Sequence, residues 1–126
     1  MPFVNQTNLP SLSHIEWEGK VVPVQVSGPA VFTTTGTKTI VAAPGAGKKV
    51  IHIKTIGSNT GSTVCTIAFA GPSSTFAPIG VFQTSALIMY MELIWAIGEN
   101  TALTCSVGGA AGFSLGIVTN YAIVNV

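Results

Sequence analysis

The chain has 126 residues, enough for one domain with a hydrophobic core of its own and no need of disulfide or metal staples. Nine side chains are charged, five lysines and four glutamates with no arginine or aspartate; this is 7%, against about 25% in ordinary soluble domains. Five scattered lysines make a poor phosphate-binding surface, and the acids, bases and nucleophiles are too few and too dispersed to suggest catalysis, so neither a nucleic-acid binder nor an enzyme is expected.

Residues 1–19 differ from the remainder of the chain. They are polar, contain Pro2 and Pro10, and carry two of the four glutamates, Glu16 and Glu18. They read as an extended N-terminal arm, with a β-domain over 20–126. Phe3, Leu9, Leu12, Ile15 and Trp17 are its apolar anchors. His14, Glu16 and Glu18 alternate, so an extended backbone would align them as a weak candidate metal site. The first residues have neither a positive start nor an apolar h-region, so no signal peptide is expected.

From Lys20 the pattern becomes strand and turn, rich in valine, isoleucine and threonine. Residues 21–27 form a first strand, marked by Pro23 as an edge. Gly28 and Pro29 turn the chain, and strands at 31–35 and 37–43 come next, hinged at Gly36. Pro44, Gly45, Ala46, Gly47, Lys48 and Lys49 superficially suggest a phosphate loop. The motif needs an earlier glycine where Ala42 stands and a Ser or Thr where Lys49 stands, so this is a turn. Residues 48–56 alternate, with Ile51 and Ile53 expected toward the core and His52 and Lys54 on the other face. Residues 57–61 are a strong turn signal.

Residues 63–69 alternate again, with Cys65, Ile67 and Phe69 inward, and 79–83 form a short strand. Residues 86–97 are the longest apolar stretch, broken by Glu92, and are too short for the roughly 20 residues of a membrane span. Their composition suits a helix, but with period two Leu87, Met89, Met91, Leu93, Trp95 and Ile97 share one face, which favours a strand. Residues 102–107 put Leu103, Cys105 and Val107 inward, and 114–126 form the last strand. Cys65 and Cys105 read as core thiols, with a cross-strand disulfide as the alternative. Trp17, Trp95, Tyr90 and Tyr121 suit core or interface packing, with sugar stacking as the alternative. No cofactor is indicated.

Eight or nine short strands spaced by turns predict an all-β, jelly-roll-like antiparallel β-sandwich. Three stretches carry a resemblance: the loop from Pro44 to Lys49 running into Val50, Ile51, His52 and Ile53; Trp95 through Gly98, Glu99 and Asn100 to Cys105; and Gly112 and Phe113 through Gly116 to Tyr121. Their order resembles small tailed-phage virion proteins, the trimeric capsid decoration (cement) proteins and related head-fibre modules. The resemblance covers roughly residues 40–126. It implies a structural protein on the capsid surface, assembled in the host cytoplasm, with itself (as a homotrimer) and the major capsid protein as partners. It also implies that an arm such as residues 1–19 contacts the capsid. A carbohydrate- or host-binding module of a tail or head fibre is the alternative.

Overall fold

The computed structural model describes residues 13–70, 79–81 and 88–126. They form ten strands: β1 (His14–Trp17), β2 (Lys20–Pro23), β3 (Gln25–Phe32), β4 (Gly36–Val41), β5 (Lys48–Asn59), β6 (Cys65–Ala70), β7 (Ile79–Val81), β8 (Ile88–Ala96), β9 (Leu103–Gly109) and β10 (Leu115–Asn125). Two four-stranded antiparallel sheets, ordered β3-β10-β5-β8 and β4-β9-β6-β7, face each other, and β1 and β2 form a separate hairpin. The last strand, β10, lies between β3 and β5 of one sheet, and the next-to-last, β9, lies between β4 and β6 of the other. This winding is a jelly roll.

The main core follows from period-two patterning. Cys65, Ile67 and Phe69 on β6 and Leu103, Cys105 and Val107 on β9 are buried from one sheet. Val50, Leu115 and Ile117 meet them from the other. On β8, Met91 and Trp95 pack inward while Tyr90, Glu92 and Ile94 are exposed, so the strand reading of that stretch holds. Leu87 lies outside the described residues.

Strand β5 corrects the expected facing. Ile51 and Ile53 do share a face, but it is the outer one, where they form a second core with Ala122 and Val124 under the hairpin residues Ile15, Trp17, Val22 and Val24. His52 faces the main core. It stacks on Trp95 with ring centroids 4.0 Å apart and lies 2.8 Å, Nε2 to Oγ1, from Thr55, which in turn bonds Thr119 at 2.9 Å. Hydrogen bonding offsets the desolvation of these polar groups. The first half of β5 is therefore covered on both sides, which is why it reads as a nearly unbroken apolar run.

Three expected breaks move. The boundary placed after residue 19 falls inside the β1–β2 hairpin, because β1 pairs with β2 from His14↔Pro23 to Trp17↔Lys20. Gly28 and Pro29 do not turn the chain but form an irregularity within β3, opposite Ile117 to Thr119. A Cβ at Gly28 would lie 2.7 Å from the Ile117 carbonyl oxygen, so only glycine lets the strands approach there. The turn expected at 57–61 starts later, because β5 runs to Asn59.

Candidate interaction surface

All nine charged residues lie in the described part of the chain, and the fold sorts them. Glu16, Glu18 and Lys20 are on the hairpin. Lys48 and Lys49 begin β5, paired with Asn125 and Val124 at the end of β10. Glu99 sits in the adjoining loop, its Oε2 accepting the Gly47 N–H at 2.8 Å. These six occupy one end of the sandwich.

That end also explains why residues 44–49 are not a phosphate loop. Its N–H groups already have acceptors: Glu99 on Gly47 and the Asn100 side-chain carbonyl on Gly45 at 2.9 Å. A carboxylate stands where an anion would have to bind, and the chain continues into β5, so no helix N-terminus is offered.

The opposite end is built from uncharged residues, 33–36, 60–64 and 109–114, mostly threonine, serine, glycine and alanine. Asn59 fastens it. This buried side chain donates to the Thr63 carbonyl at 2.7 Å and accepts from Gly61 N–H at 3.0 Å and Ser114 N–H at 3.2 Å. Ser62 N–H to the Gly112 carbonyl and Thr63 Oγ1 to the Ala110 carbonyl close the loops on each other. A shallow cleft of about 300 Å³ opens there between residues 33–35 and Gly109, Ala111 and Phe113.

The outer face of the β3-β10-β5-β8 sheet joins the two ends. Its half toward the charged end lies under the hairpin. Its half toward the neutral end is bare and apolar, with Val26 60%, Val31 65% and Tyr90 56% exposed. Lys54 and Glu92, register partners on β5 and β8, are the charges of this half. Tyr90 donates to Glu92 at 3.1 Å, and that bond raises the phenol's pKa. The ninth charge, Lys38, folds back on Thr34 Oγ1 at 2.8 Å and over the Phe32 ring.

The sheet edges are poor templates for strand addition. β3 carries Pro29 and an irregular register, β4 is interrupted between Thr39 and Val41, β7 has three residues, and β8 shifts register beside Glu92. Irregular, short or charged edges discourage edge-to-edge pairing.

The residues expected to form sites are spread over the fold. Phe3, Leu9 and Leu12 lie outside the described residues. Ile15 and Trp17 are half-buried against the second core, with the Lys49 ammonium 5.9 Å from the Trp17 ring centroid. Both are engaged within the chain. His14 and Glu16 are exposed on β1, and Glu18 is in the turn after it with φ 50°. Among the described residues no three His, Cys, Asp or Glu side chains come together in an arrangement that could hold a metal ion. Cys65 and Cys105 are free thiols facing the main core. In the β6–β9 register Cys65 meets Gly109 and Cys105 meets Phe69, so they are not opposite each other. Burial raises the pKa of both, that of Cys105 to about 11 although Lys38 pulls it down. The four large aromatics are not gathered. Trp95 packs against the main core, Trp17 lies by the second core, Tyr121 donates to Gln25 and Tyr90 to Glu92. The sequence signal that could have revealed the surface was the spacing of charge: none occurs between Lys20 and Lys38, Lys54 and Glu92, or Glu99 and the C-terminus.

Fold and surface together define the class: an all-β jelly roll with six of its nine charges at one end. No family model matches the chain, and no curated protein matches its sequence. Among solved structures the chain is similar to a chain of the giant freshwater prawn Macrobrachium rosenbergii extra small virus (XSV) VLP, with a TM-score of 0.38 and 8% identity, over 79% of this chain and 76% of that one.

Proposed function

We propose that the chain is a structural virion protein that works by packing its charge-poor half against neighbouring protein. The observation that carries this reading is the segregation of charge. Six of nine charged residues sit at one end, while the other end and the adjoining half-face are partly apolar and carry only Lys38, Lys54 and Glu92. Burying such a surface removes apolar area from water, worth about 25 cal/mol per Å² before ordering costs, and strands almost no charge. Jelly rolls serve in viral capsids and in lectins, and scattered aromatics favour the former. In its specific form the reading is a homotrimeric decoration protein. Neutral ends meet in the trimer or on the capsid, charged ends face water, and three weak attachments act together.

Light scattering, combined with binding to purified capsids that lack the protein, tests this. The expected result is a stable oligomer that attaches to capsids, and both properties weaken in Val64→Glu and Ala111→Glu. A monomer at micromolar concentration, with no capsid attachment, would overturn the reading.

A further inference from the structure

On the outer face of the β3-β10-β5-β8 sheet, strands β5 and β8 carry a pattern that is complementary to itself. Lys54 and Ile56 on β5 have Glu92 and Tyr90 on β8 as their register partners, and all four point away from the main core. We infer that this strand pair meets the same strand pair of a second copy about a two-fold axis, Lys54 against Glu92 of the second copy and Ile56 against its Tyr90. The inference names the occupant of one part of the charge-poor half, and so rests on the reading that this half packs against neighbouring protein.

Three observations carry it. The first is that Lys54 and Glu92 stand side by side without being joined. Glu92 Oε1 accepts the Tyr90 hydroxyl at 3.1 Å, while its Oε2 and the Lys54 ammonium have no partner among the described residues. Each is left to meet an opposite charge from outside the chain.

The second is symmetry. A two-fold axis in the plane of contact, parallel to the strands and midway between β5 and β8, exchanges the two strands. It lays each β5 residue over the β8 residue with which it pairs. One operation thus matches ammonium to carboxylate and aliphatic chain to phenol ring, and does each twice. An axis across the strands would set Lys54 on Lys54 and Glu92 on Glu92, which like-charge repulsion opposes.

The third is access. Ile56 is 38%, Tyr90 56% and Ile94 51% exposed, so apolar side chains flank the charge pair. The hairpin packs on Ile51 and Ile53 of β5 and stops short of Lys54. The overlap is two strands wide, roughly 10 by 17 Å a side at ordinary sheet spacings. That is far below the total of about 1,000 Å² that an independent interface needs. The contact therefore forms where copies are already held close. It leaves Val26 and Val31 on β3 for other neighbours and adds to contacts at the neutral end without replacing them.

The test mixes two full-chain variants, Ile56→Cys and Tyr90→Cys, under mild air oxidation. The mixture is held at about millimolar concentration, the range that tethering in an assembly supplies. Circular dichroism first checks that each variant is folded, and the native thiols are buried and do not compete. The expected main product is the disulfide between the two different variants, about fivefold or more over either self-product. Lys54→Glu added to both variants is expected to remove that excess. Lys54→Glu in the Ile56→Cys chain with Glu92→Lys in the Tyr90→Cys chain is expected to regain it, because both cross-pairs are again opposite in sign. A mixed product only twice as abundant as each self-product, the ratio of random pairing, would overturn the inference and leave the face to a different protein. So would an excess that Lys54→Glu leaves unchanged, or one that the opposite-charge mixture fails to regain. Neither a capsid nor the oligomer mass at micromolar concentration enters these readouts, so their failure is separable from failure of the virion reading.

Discussion

Asn59 holds the neutral end together through three hydrogen bonds from a fully buried side chain, joining β5 to the loops at 60–64 and 112–114. Asn59→Ala leaves one half-buried acceptor and two half-buried donors without these partners, so the expected loss is about 2 kcal/mol, read from urea unfolding. From the sequence this asparagine looked like one member of a turn cluster, because propensity describes a residue's own backbone and not the strands its amide can reach. The cysteines were better marked, since strict alternation placed both inward. The raised pKa of Cys105 gives a pH effect with a definite sign. Its folded value of about 11 lies above its ordinary 9.0, so the protonated thiol's contribution is complete below pH 9 and is lost as pH rises toward 11. Its size is on the order of 3 kcal/mol, two units at about 1.4 kcal/mol per unit. Between pH 9 and 11 the unfolding midpoint of wild type should therefore fall relative to that of Cys105→Val, which has no thiol at this position to ionise.

At the level of elements, the hairpin most changes the sequence reading. Four-residue strands such as β1 and β2 bury little alone and are marginal in isolation. What holds them is the row Ile15, Trp17, Val22 and Val24 laid on Ile51, Ile53, Ala122 and Val124. Trp17→Ala is expected to cost about 2 kcal/mol, below the 3–5 of a fully buried tryptophan because this one is half-buried, and to release the hairpin while the sandwich persists. Proteolysis after residue 19 in the variant, and resistance in wild type, checks it. The period-two reading of this stretch held over β8, 88–96, against its helical composition, because Met91 and Trp95 meet the core while Tyr90, Glu92 and Ile94 meet water. The same rule misassigned the faces of β5, since a strand covered on both sides has no polar face to reveal which cover is the larger core. Gly61 illustrates a requirement visible only in three dimensions: an added Cβ would collide with the backbone of Gly112 and Phe113. Gly61→Ala is expected to lower the thermal midpoint by several degrees.

For the whole molecule, polarity of charge is the property that bears on assembly. In the proposed oligomer, contacts made through the charge-poor end gain little from Coulomb attraction, so its mass is expected to stay constant from low to near-molar salt. Ala111→Glu, at the neutral end, should reduce the mass, whereas Lys48→Glu at the charged end should leave it unchanged; sedimentation of the two variants reads both outcomes.

Composition and alternation by themselves determined the all-β class, the inward residues of β6, β8 and β9, the core setting of the thiols and the scarcity of charge. These stem from local backbone geometry and from the preference of apolar side chains for the interior. The tertiary structure alone decided that the arm's second part is a hairpin over the sheet, that His52 faces the main core, and that six of the nine charges converge on one end. Each of these depends on which distant segments are brought together, and strand order, unlike strand period, leaves no mark in the spacing of residues along the chain.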